Sequence, residues 1–584
     1  WPGGQRDYIY GSMFMSYVAE RPGPESHREL LNKTSGSVLP PPWVLDRLAR
    51  KATGKTFSTL YREWRYDLQK RYGEQASRLR AAGLTTGERI AGGERFAIHP
   101  RISPNGSKLA YVEEDGRNSS MHVILDLTTR QREKARRNSM APLAWANDAT
   151  LYTTQPELID PYTIYTDLYS QTNGDQTRIT RGARYEAVDV DRAGRKLVMI
   201  VNGRGMTSIV QRDLATGAER VIVPQQPDVH WALPRWSPDG QRIVAQRWRL
   251  GGYQDIVVMD TLGTPVQRAS PWLHEESAFD ATPAWSADGS YVIFSSDRSG
   301  INNLYAYNPT DTTGAVFQVT NVLTGVFYPD VSSDGQWIYY SAYHATGYSI
   351  ERLRYDVNAW RAVEYSAAPD SVTVVVPEQT GTPLRVRNYS ALRSALPKFW
   401  VPIFEGDSIQ GDFFGVFTSG TDDINRHEYA LEFAHNFANG RSLGFFDYTF
   451  AGFGNPLISF SASREYDTLT PESIRREDNL SLLATYLRPR WRSSMSFALG
   501  VEGVQVRRDT TSVVLDPEDR LLGVIAGLGY THTRNPAYSI SREDGARGSV
   551  FVRRRFDLEP VFRDATYTEV NGALAGYKSI DASG

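Results

Sequence analysis

Few residues in this chain have the types and spacing that hydrolysis requires. A zinc peptidase uses His-Glu-x-x-His on one helix, so that two imidazoles meet one zinc ion and the glutamate acts as base. His274-Glu275 has Ala278 in the place of the second histidine, and His427-Glu428 has Leu431 there. We therefore predict no zinc-peptidase site within this chain.

One pentapeptide, Gly440-Arg-Ser442-Leu-Gly444, has the pattern of a serine nucleophile elbow. The elbow needs a strand before the serine and a helix after it. Here Asn439-Gly440 is typical of a hairpin turn, and the residues that follow alternate as a strand does. We expect Ser442 to be non-catalytic. No Walker loop, dinucleotide fingerprint or EF-hand is found, so no enzyme activity and no cofactor are predicted for this chain.

The composition narrows the class of protein. At 584 residues the chain is long enough for about two to four domains. Its 65 basic and 67 acidic residues leave a net charge of −2, so charge predicts no nucleic-acid partner. The absence of cysteine excludes disulfides, cysteine-ligated metals and thiol nucleophiles. The 32 Tyr, 23 Phe, 13 Trp and 48 Gly residues favour β-structure rich in turns. No run of about 18 apolar residues occurs, so no transmembrane helix is predicted.

Residues 1–90 are predicted to be an all-α segment. Apolar residues recur at helical spacing in 7–20 and 57–72, and Pro42 precedes a third helix from Trp43 to about Lys51. The chain starts at Trp1 without a signal-peptide pattern and reads from the outset like the middle of a domain. We expect the sequence to be a fragment of a longer protein.

Between residues 96 and 358 the apolar period becomes two, and a turn motif recurs. Its closing glycines stand at 106, 194, 240, 289 and 335, at spacings of 88, 46, 49 and 46 residues. A degenerate copy at 143–148 divides the first gap, so six units of about 45 residues result. Units of this length with several short strands are typical of a β-propeller. The motif copies are Ser103–Gly106, Asp191–Gly194, Ser237–Gly240, Ser286–Gly289 and Ser332–Gly335.

The residue types of the motif explain the turn. Proline presets φ, aspartate or asparagine bonds back to the main chain, and glycine accepts a positive φ. We therefore interpret these aspartates as structural. The stretch Asp189–Gly194 is similar to a calcium loop, but it lacks the further oxygen ligands and the closing glutamate that calcium needs, and no metal site is predicted.

These repeats, with a proline six residues before four of the five glycines, resemble the six-bladed propeller of the TolB family. The resemblance covers residues 96 to about 358 and implies a periplasmic interaction module that binds a protein or an envelope polymer. The loops before the innermost strands should then face the channel, although their aromatics could instead pack between blades. The predicted channel-binding residues are Tyr185, Glu186, His230, Trp231, Phe279, Asp280, Phe327 and Tyr328.

Beyond about residue 365, segments near ten residues long alternate strictly. Met495, Phe497 and Leu499 stand against smaller or polar neighbours, and 428–434, 458–463 and 523–531 repeat this pattern. One face is apolar and aromatic, and the other is small or polar. A transmembrane β-barrel turns such an apolar face to lipid, whereas a soluble sandwich would bury it. Strand length and aromatic content favour the barrel, with outer-membrane lipid as its partner.

The stretch from Tyr389 to Pro402, with Gly411–Gly415 and 421–429 after it, resembles the start of the barrel in bacterial surface-antigen outer-membrane proteins. Arg553–Asp557 is similar to the later strands of that family. We count about nine strands from Gly411 to Tyr577, fewer than that family's barrels contain. The sequence therefore predicts an incomplete barrel within 365–584.

In that context Tyr8–Tyr17 and 53–64 are similar to the helices that follow the metal site in gluzincin metallopeptidases. This similarity implies that 1–90 is the tail of a peptidase-like domain. The predicted fold class is thus mainly β: a six-bladed β-propeller and a partial transmembrane β-barrel, with a short all-α N-terminal segment.

The predicted protein lies in the bacterial outer membrane with its propeller in the periplasm, where it binds a partner, and it takes part in transport or assembly. Two alternatives stay open. The intact protein could be a zinc metallopeptidase whose His-Glu-x-x-His lies upstream of Trp1, with the propeller as a substrate filter. It could also be a soluble periplasmic interaction protein.

Overall fold

The computed structural model describes residues 6–578 apart from 22–24, 36–40, 94, 137–138, 204, 251–252, 267–277, 312–313, 364–387, 408–410, 471–472, 511–518, 536–538, 540–541 and 561–565. Helices, a ring of six antiparallel sheets and a ten-stranded antiparallel sheet follow one another along the chain. The predicted fold class, mainly β with a six-bladed propeller and a few N-terminal helices, is confirmed. The ten-stranded sheet is compatible with a barrel.

The N-terminal region folds as α1 (Arg6–Glu20), α2 (Glu25–Ser35), α3 (Pro41–Thr53) and α4 (Phe57–Ala81). Thr56 caps α4, because its hydroxyl oxygen accepts the N–H of Thr59 at 3.1 Å. Phe14 of α1 packs against Phe57 and Trp64 of α4, with ring centroids 5.8 and 5.5 Å apart. No helix in the described ranges is long and apolar enough to cross a membrane.

Each propeller blade is an antiparallel sheet. Blade 1 contains β2 (Phe96–Ile102), β3 (Lys108–Glu114), β4 (Met121–Asp126) and β5 (Arg132–Arg136); blade 2 contains β6 (Ala144–Trp145), β7 (Thr150–Leu158), β8 (Ile164–Thr172) and β9 (Asp175–Arg178); blade 3 contains β10 (Tyr185–Val190), β11 (Lys196–Asn202), β12 (Thr207–Asp213) and β13 (Glu219–Val223). Blade 4 contains β14 (Val229–Trp236), β15 (Arg242–Arg249) and β16 (Tyr253–Asp260); blade 5 contains β17 (Asp280–Trp285), β18 (Val292–Ser296), β19 (Asn303–Tyr307), β20 (Val316–Gln318) and β24 (Arg361–Ala362); blade 6 contains β21 (Val326–Val331), β22 (Trp337–His344) and β23 (Gly347–Arg354).

The first propeller strand of the chain closes the ring. β1 (Glu88–Gly92) pairs antiparallel with β23 and so becomes the outermost strand of blade 6. Each innermost strand contacts the innermost strands of both neighbouring blades, including β21 against β2. The end of the helical region contacts the connection between blades 5 and 6. There the side-chain amide of Asn321 donates to the carbonyls of Leu79 and Gly83 at 3.0 and 2.7 Å. A short 3₁₀ turn, Val357–Ala359, precedes β24.

The repeated turn has the structural role expected from its residues. Asp239 accepts the main-chain N–H of Gln241 at 3.0 Å, and Gly240 has φ of 68°. Asp288 and Asp334 make the same contact in their own turns, with the main-chain N–H groups of Ser290 and Gln336. These turns define one face of the propeller, which we call the turn face. The loops between blades and the hairpins between second and third strands lie on the opposite side, the loop face, because successive strands run antiparallel.

The C-terminal region begins with a short helix, α5 (Ala391–Ser394), and continues as a ten-stranded sheet in which each strand pairs with the next along the chain. Nine strands lie between Gly411 and Tyr577, as the sequence predicts. The sheet contains β25 (Val401–Asp407), β26 (Gly411–Thr421), β27 (His427–His435), β28 (Ser442–Phe450), β29 (Leu457–Thr470), β30 (Ser473–Pro489), β31 (Ser494–Thr510), β32 (Asp519–Arg534), β33 (Glu543–Asp557) and β34 (Tyr567–Tyr577).

The register of this sheet separates two faces. Leu482, Val501 and Val524 stand side by side on β30, β31 and β32, and they are 49, 51 and 44% exposed. One residue further along β31, Glu502 points to the other face and is buried. We call the first face the apolar face and the second the polar face. The alternation predicted from the sequence thus places exposed large apolar side chains on one side of the sheet, while the other side combines Glu502 with buried apolar residues such as Val504 and Leu521.

Candidate functional site

Five innermost propeller strands carry a β-bulge at the same repeat position, seven residues before the turn glycine. At this position residues other than glycine have positive φ, which is sterically unfavourable and concentrates at functional sites. The ring of bulges makes the channel wall a candidate site. The bulged residues are His99 (φ 56°), Ala187 (41°), Leu233 (46°), Thr282 (54°) and Tyr328 (53°).

Several of the eight predicted binding residues are held by contacts within or between blades. Tyr185 is buried, and its hydroxyl donates to Glu219. Asp280 is buried, and its two carboxylate oxygens accept from Arg298 at 3.1 and 3.0 Å. Trp231 is buried in the hydrophobic core shared by blades 3 and 4. Tyr185 and Trp231 are therefore packed inside the propeller, and Asp280 is held by its ion pair with Arg298.

The other predicted residues stay accessible at the loop face but do not form one group. Glu186 accepts from the side-chain amide of Asn202. His230 packs on Trp248, with ring centroids 5.4 Å apart. Phe279 is 46% exposed. The structure therefore distributes these three residues over separate blades, whereas Phe327 and Tyr328 join a larger cluster.

An aromatic cluster occupies the loop face of blades 6 and 1. Phe327 lies 6.3 Å from Tyr328 and 6.2 Å from Tyr348, measured between ring centroids. Tyr348 in turn lies 5.1 Å from Tyr343 and stacks on Phe96 at 5.6 Å. With His99 these residues form what we call the aromatic cluster: Phe96, His99, Phe327, Tyr328, Tyr343 and Tyr348.

Sequence reasoning identified two of these six residues. Phe327 and Tyr328 lie in the innermost strand β21 and not in the loop before it, whereas Tyr343 and Tyr348 lie at the adjoining ends of β22 and β23, beside their hairpin turn. The signal that could have found them is the hairpin itself, because second-to-third-strand hairpins reach the same face as the inter-blade loops. Such clusters offer large apolar area with polar hydroxyl groups, which suits recognition of a partner surface.

His99 lies at the base of the aromatic cluster. Its ring packs against Tyr328 with centroids 4.0 Å apart, and its Nδ1 is buried without a hydrogen-bond partner among the described residues. Burial, together with the charges of Arg101 and Arg235, lowers the pKa of His99 to about 3. The imidazole is therefore neutral at ordinary pH, and it lines the channel between the cluster and a charged group below it.

That charged group crosses the channel. Arg235 of blade 4 donates to Asp330 of blade 6 at 2.7 Å, and its Nε lies 3.3 Å from Asp189 of blade 3. Blades 3 and 6 are opposite each other in a ring of six, so a side chain that touches both lies on the axis. Arg101 of blade 1 completes the set, 3.6 Å from Asp330. We call these four residues, Arg101, Asp189, Arg235 and Asp330, the channel network.

The channel network separates the two mouths of the propeller. On the turn face it forms the floor of a cavity of about 200 Å³ lined by the repeated turns. All four side chains are at most 14% exposed. Burial, and then the charge of Arg235, lowers the pKa of Arg101 to about 10, so this guanidinium still carries its charge near neutral pH. The paired charges close the channel at this level.

Ser442 does not lie in the strand–turn–helix setting of a catalytic serine. Ser442 begins β28, which continues as a strand, and its hydroxyl contacts Nδ1 of His435 at 2.8 Å across the hairpin. No helix follows it, so the geometry of a nucleophile elbow is missing. His274 and Glu275 lie outside the described residues. Among the residues that are described, no group of three or more His, Asp or Glu side chains could hold a metal ion.

Comparison with known proteins agrees with the repeat pattern. Residues 189–380 match the family described as the TolB beta propeller domain. The propeller is TolB-like, and its six blades are those predicted from the turn motif. The C-terminal sheet, whose first strand begins at Val401, lies outside this match.

The solved structures that match this chain share little sequence with it. TolB from Acinetobacter baumannii is 15% identical, with 63% of this chain and 82% of TolB covered and a TM-score of 0.30. The hydrazine synthase of Kuenenia stuttgartiensis is 17% identical, with 44 and 77% covered and a TM-score of 0.33. A prolyl endopeptidase is 11% identical, with 62% of this chain and 48% of that enzyme covered and a TM-score of 0.33. No activity is carried over from these proteins.

Proposed function

We propose that this chain is an outer-membrane-associated binding protein, in which the ten-stranded sheet meets lipid and the propeller presents a protein-binding surface beside the membrane. The observation that carries the proposal is the exposed apolar face of the sheet. In water such a face would favour aggregation, because soluble proteins rarely expose apolar patches of more than a few hundred Å². A bilayer provides an environment in which the same face is stable.

The borders of the apolar face support a membrane setting. A polar row crosses four adjacent strands on that face, formed by Arg464, Asp478, Gln505 and Arg520. Along β31 the apolar face runs from Met495 to the row at Gln505, ten residues or roughly 33 Å of strand. At a strand tilt of about 40° this length corresponds to a height of about 25 Å, the height of the apolar band in outer-membrane proteins.

The polar face has the opposite character. Glu502 and Arg555 form an ion pair there at 2.6 Å, with side chains 1 and 8% exposed. Arg553 lies 3.7 Å from Glu569 on the same face. Charged groups of this kind need partners and are rarely placed against lipid. We therefore propose that the polar face is turned inward and the apolar face outward.

The propeller supplies the binding surface in this proposal. The aromatic cluster gives the loop face partly exposed rings, of which Tyr343 is 40% exposed. Aromatic residues of this kind are enriched where proteins recognise one another. The closed channel weighs against the alternative in which a propeller admits substrates to a peptidase, since Arg235 would have to release two carboxylates before anything could pass.

Reconstitution of the full chain tests the membrane assignment. The chain should float with lipid vesicles after an alkaline wash and resist protease in its C-terminal region. Leu499→Arg, on the apolar face, should reduce the inserted fraction, because an arginine near the bilayer midplane costs about 2–4 kcal/mol. Ser496→Arg on the polar face is the matched control: Ser496 stands between Leu487 and Gly529 in the register, and the glycine leaves room on one side. A chain that stays soluble and folded in the presence of vesicles would refute the proposal.

A photoreactive amino acid tests the binding surface. Placed at Tyr343, it should crosslink a protein partner in cells, whereas the same probe at Ala215 on the turn face should not. Equal crosslinking from both faces, or from the turn face alone, would contradict the assignment of the aromatic cluster.

A further inference from the structure

The hairpin between β7 and β8 of blade 2 projects further from the loop face than its neighbour in blade 1. Arg101 and Ala144 are each the second-last residue of their innermost strand, and they pair with Ala110 and Tyr152 of the second strands. From Tyr152 the strand continues six residues, to Leu158, whereas from Ala110 it continues four, to Glu114. Two more residues lengthen the hairpin by roughly 7 Å.

The tip of this hairpin is apolar and exposed. Ile159, Tyr162 and Ile164 are 46, 57 and 54% exposed. The turn between them is well formed, because Asp160 accepts the main-chain N–H groups of Tyr162 and Thr163, both at 2.8 Å. Large apolar side chains fixed on a projecting, ordered turn are poorly explained by packing within the propeller.

The same face of the propeller contacts the ten-stranded sheet. Asn118, in the second-to-third-strand loop of blade 1, accepts a hydrogen bond from Arg534 of β32 at 3.1 Å. Arg534 lies four residues beyond Tyr530, which is 44% exposed on the apolar face. Four residues of strand span about 13 Å. The edge of the apolar face is therefore near the loop face of blade 1, directly beside blade 2.

We propose that the blade 2 tip, residues 159–164, inserts into the interfacial layer of the bilayer that surrounds the ten-stranded sheet. The inference rests on the proposed function, since it takes the apolar face to be in lipid. Isoleucine side chains gain by leaving water, and tyrosine is favoured at the boundary between headgroups and acyl chains. The tip thus holds the propeller against the membrane at a second point, away from the Asn118–Arg534 contact.

Basic residues at the base of the hairpin fit an anionic lipid surface. Arg181 is exposed in the loop that follows blade 2, and Arg184 lies over the ring of Tyr165 at 4.0 Å from its centroid. Cations close to a bilayer surface are attracted to acidic headgroups. Asp160 opposes this attraction, because the hydrogen bonds of its own turn lower its pKa and hold the carboxylate ionised.

Spin labels on single cysteines test the inference in the full chain. The natural sequence contains no cysteine, so each label is unique. Tyr162→Cys reports on the tip, Ala215→Cys on the turn face, and Leu499→Cys on the apolar face of the sheet. The labelled chains are reconstituted into vesicles of phosphatidylethanolamine and phosphatidylglycerol. Collision with oxygen, which partitions into lipid, and with a water-soluble nickel complex then gives the depth of each label.

We expect the Tyr162 label to lie roughly 5–10 Å below the phosphates, the Leu499 label to be in lipid and the Ala215 label to be in water. A Leu499 label in lipid with a Tyr162 label in water would overturn the membrane role of the tip and leave the proposed function standing. A Leu499 label in water would overturn both. Lipid contact at Ala215 as well would show non-specific adsorption of the propeller and would also overturn the inference.

Discussion

Asp330 accepts a hydrogen bond from the main-chain N–H of Ile102 at 2.9 Å, across 228 residues of sequence. This contact joins blade 6 to blade 1, where the ring of the propeller closes. Asp189 makes the equivalent contact between blades 3 and 4, with the N–H of Trp236 at 2.8 Å. The channel network therefore ties neighbouring blades together on opposite sides of the ring, while Arg235 connects the two aspartates across the axis.

Removing one of these charges should destabilise the propeller. In Asp330→Asn the side-chain oxygen can still accept the main-chain N–H of Ile102. The positive charges of Arg101 and Arg235 are then balanced only by the negative charge of Asp189. An unbalanced buried charge costs about 3 kcal/mol. We expect urea unfolding, followed by tryptophan fluorescence, to show a loss of this size.

Asp213→Asn provides the matched control, because Asp213 is an aspartate in an exposed turn that accepts main-chain N–H groups. Its effect should be well below that of Asp330→Asn. Equal effects for the two variants would mean that the channel network does not stabilise the ring.

His99 should make the stability of the propeller depend on pH. Burial lowers its pKa to about 3 in the folded chain, whereas an unfolded histidine has a pKa of about 6.5. Above pH 6.5 the histidine is neutral in both states and adds no pH dependence. As the pH falls below 6.5, only the unfolded chain takes up the proton, so stability is lost.

At pH 5 this loss is about 2 kcal/mol. His99→Asn removes the titrating group and suits a residue with positive φ. The variant should therefore lose less stability than the parent between pH 7 and 5, as measured by urea midpoints. His230→Asn, at a partly exposed histidine of the same face, is the control. If the urea midpoints of the parent and of His99→Asn changed identically with pH, His99 would not be the buried neutral imidazole inferred from its surroundings.

Gly523 gives the ion pair of the polar face its room. It stands between Glu502 and Arg555 in the register, and a Cβ added there would lie 2.6 Å from Cγ of Glu502. Gly523→Ala should thus lower the free energy of unfolding by about 1–3 kcal/mol through crowding. Circular dichroism of the reconstituted chain would show this as a lower melting temperature.

Gly503→Ala is the matched substitution, since a Cβ at Gly503 meets nothing within 4 Å. We expect its effect to stay within about 0.5 kcal/mol. If Gly503→Ala lowered the free energy of unfolding more than Gly523→Ala does, the claim that Gly523 gives room to the Glu502–Arg555 ion pair would be wrong.

The repeat pattern predicted the propeller because the turn motif is local. Each copy of the motif determines its own turn, whatever its neighbours do. β1 was not predicted as a propeller strand, since its five residues have little pattern and its partner β23 is more than 250 residues away. The bulges were missed for a different reason: residues such as Leu233 and Tyr328 do not favour positive φ, so the ring imposes it.

The channel network could have been found in the sequence. Arg101, Asp189, Arg235 and Asp330 all stand five residues before a turn glycine, and aligning the repeats on that glycine brings them into one column. The aromatic cluster could be found only in part, because Tyr343 and Tyr348 come from the hairpin of β22 and β23, whereas Phe327 comes from the innermost strand β21. Which of these surfaces binds a partner depends on exposure, and exposure depends on the packing of whole blades.

The central claim is that the apolar face of the ten-stranded sheet meets lipid. The most direct measurement places a fluorophore on single cysteines at each position from 496 to 501 of β31, in the full chain in vesicles, and measures quenching by brominated acyl chains. The account predicts strong quenching at Phe497, Leu499 and Val501 and weak quenching at Ser496, Ala498 and Gly500. Weak quenching at all six positions, or quenching without alternation, would contradict it.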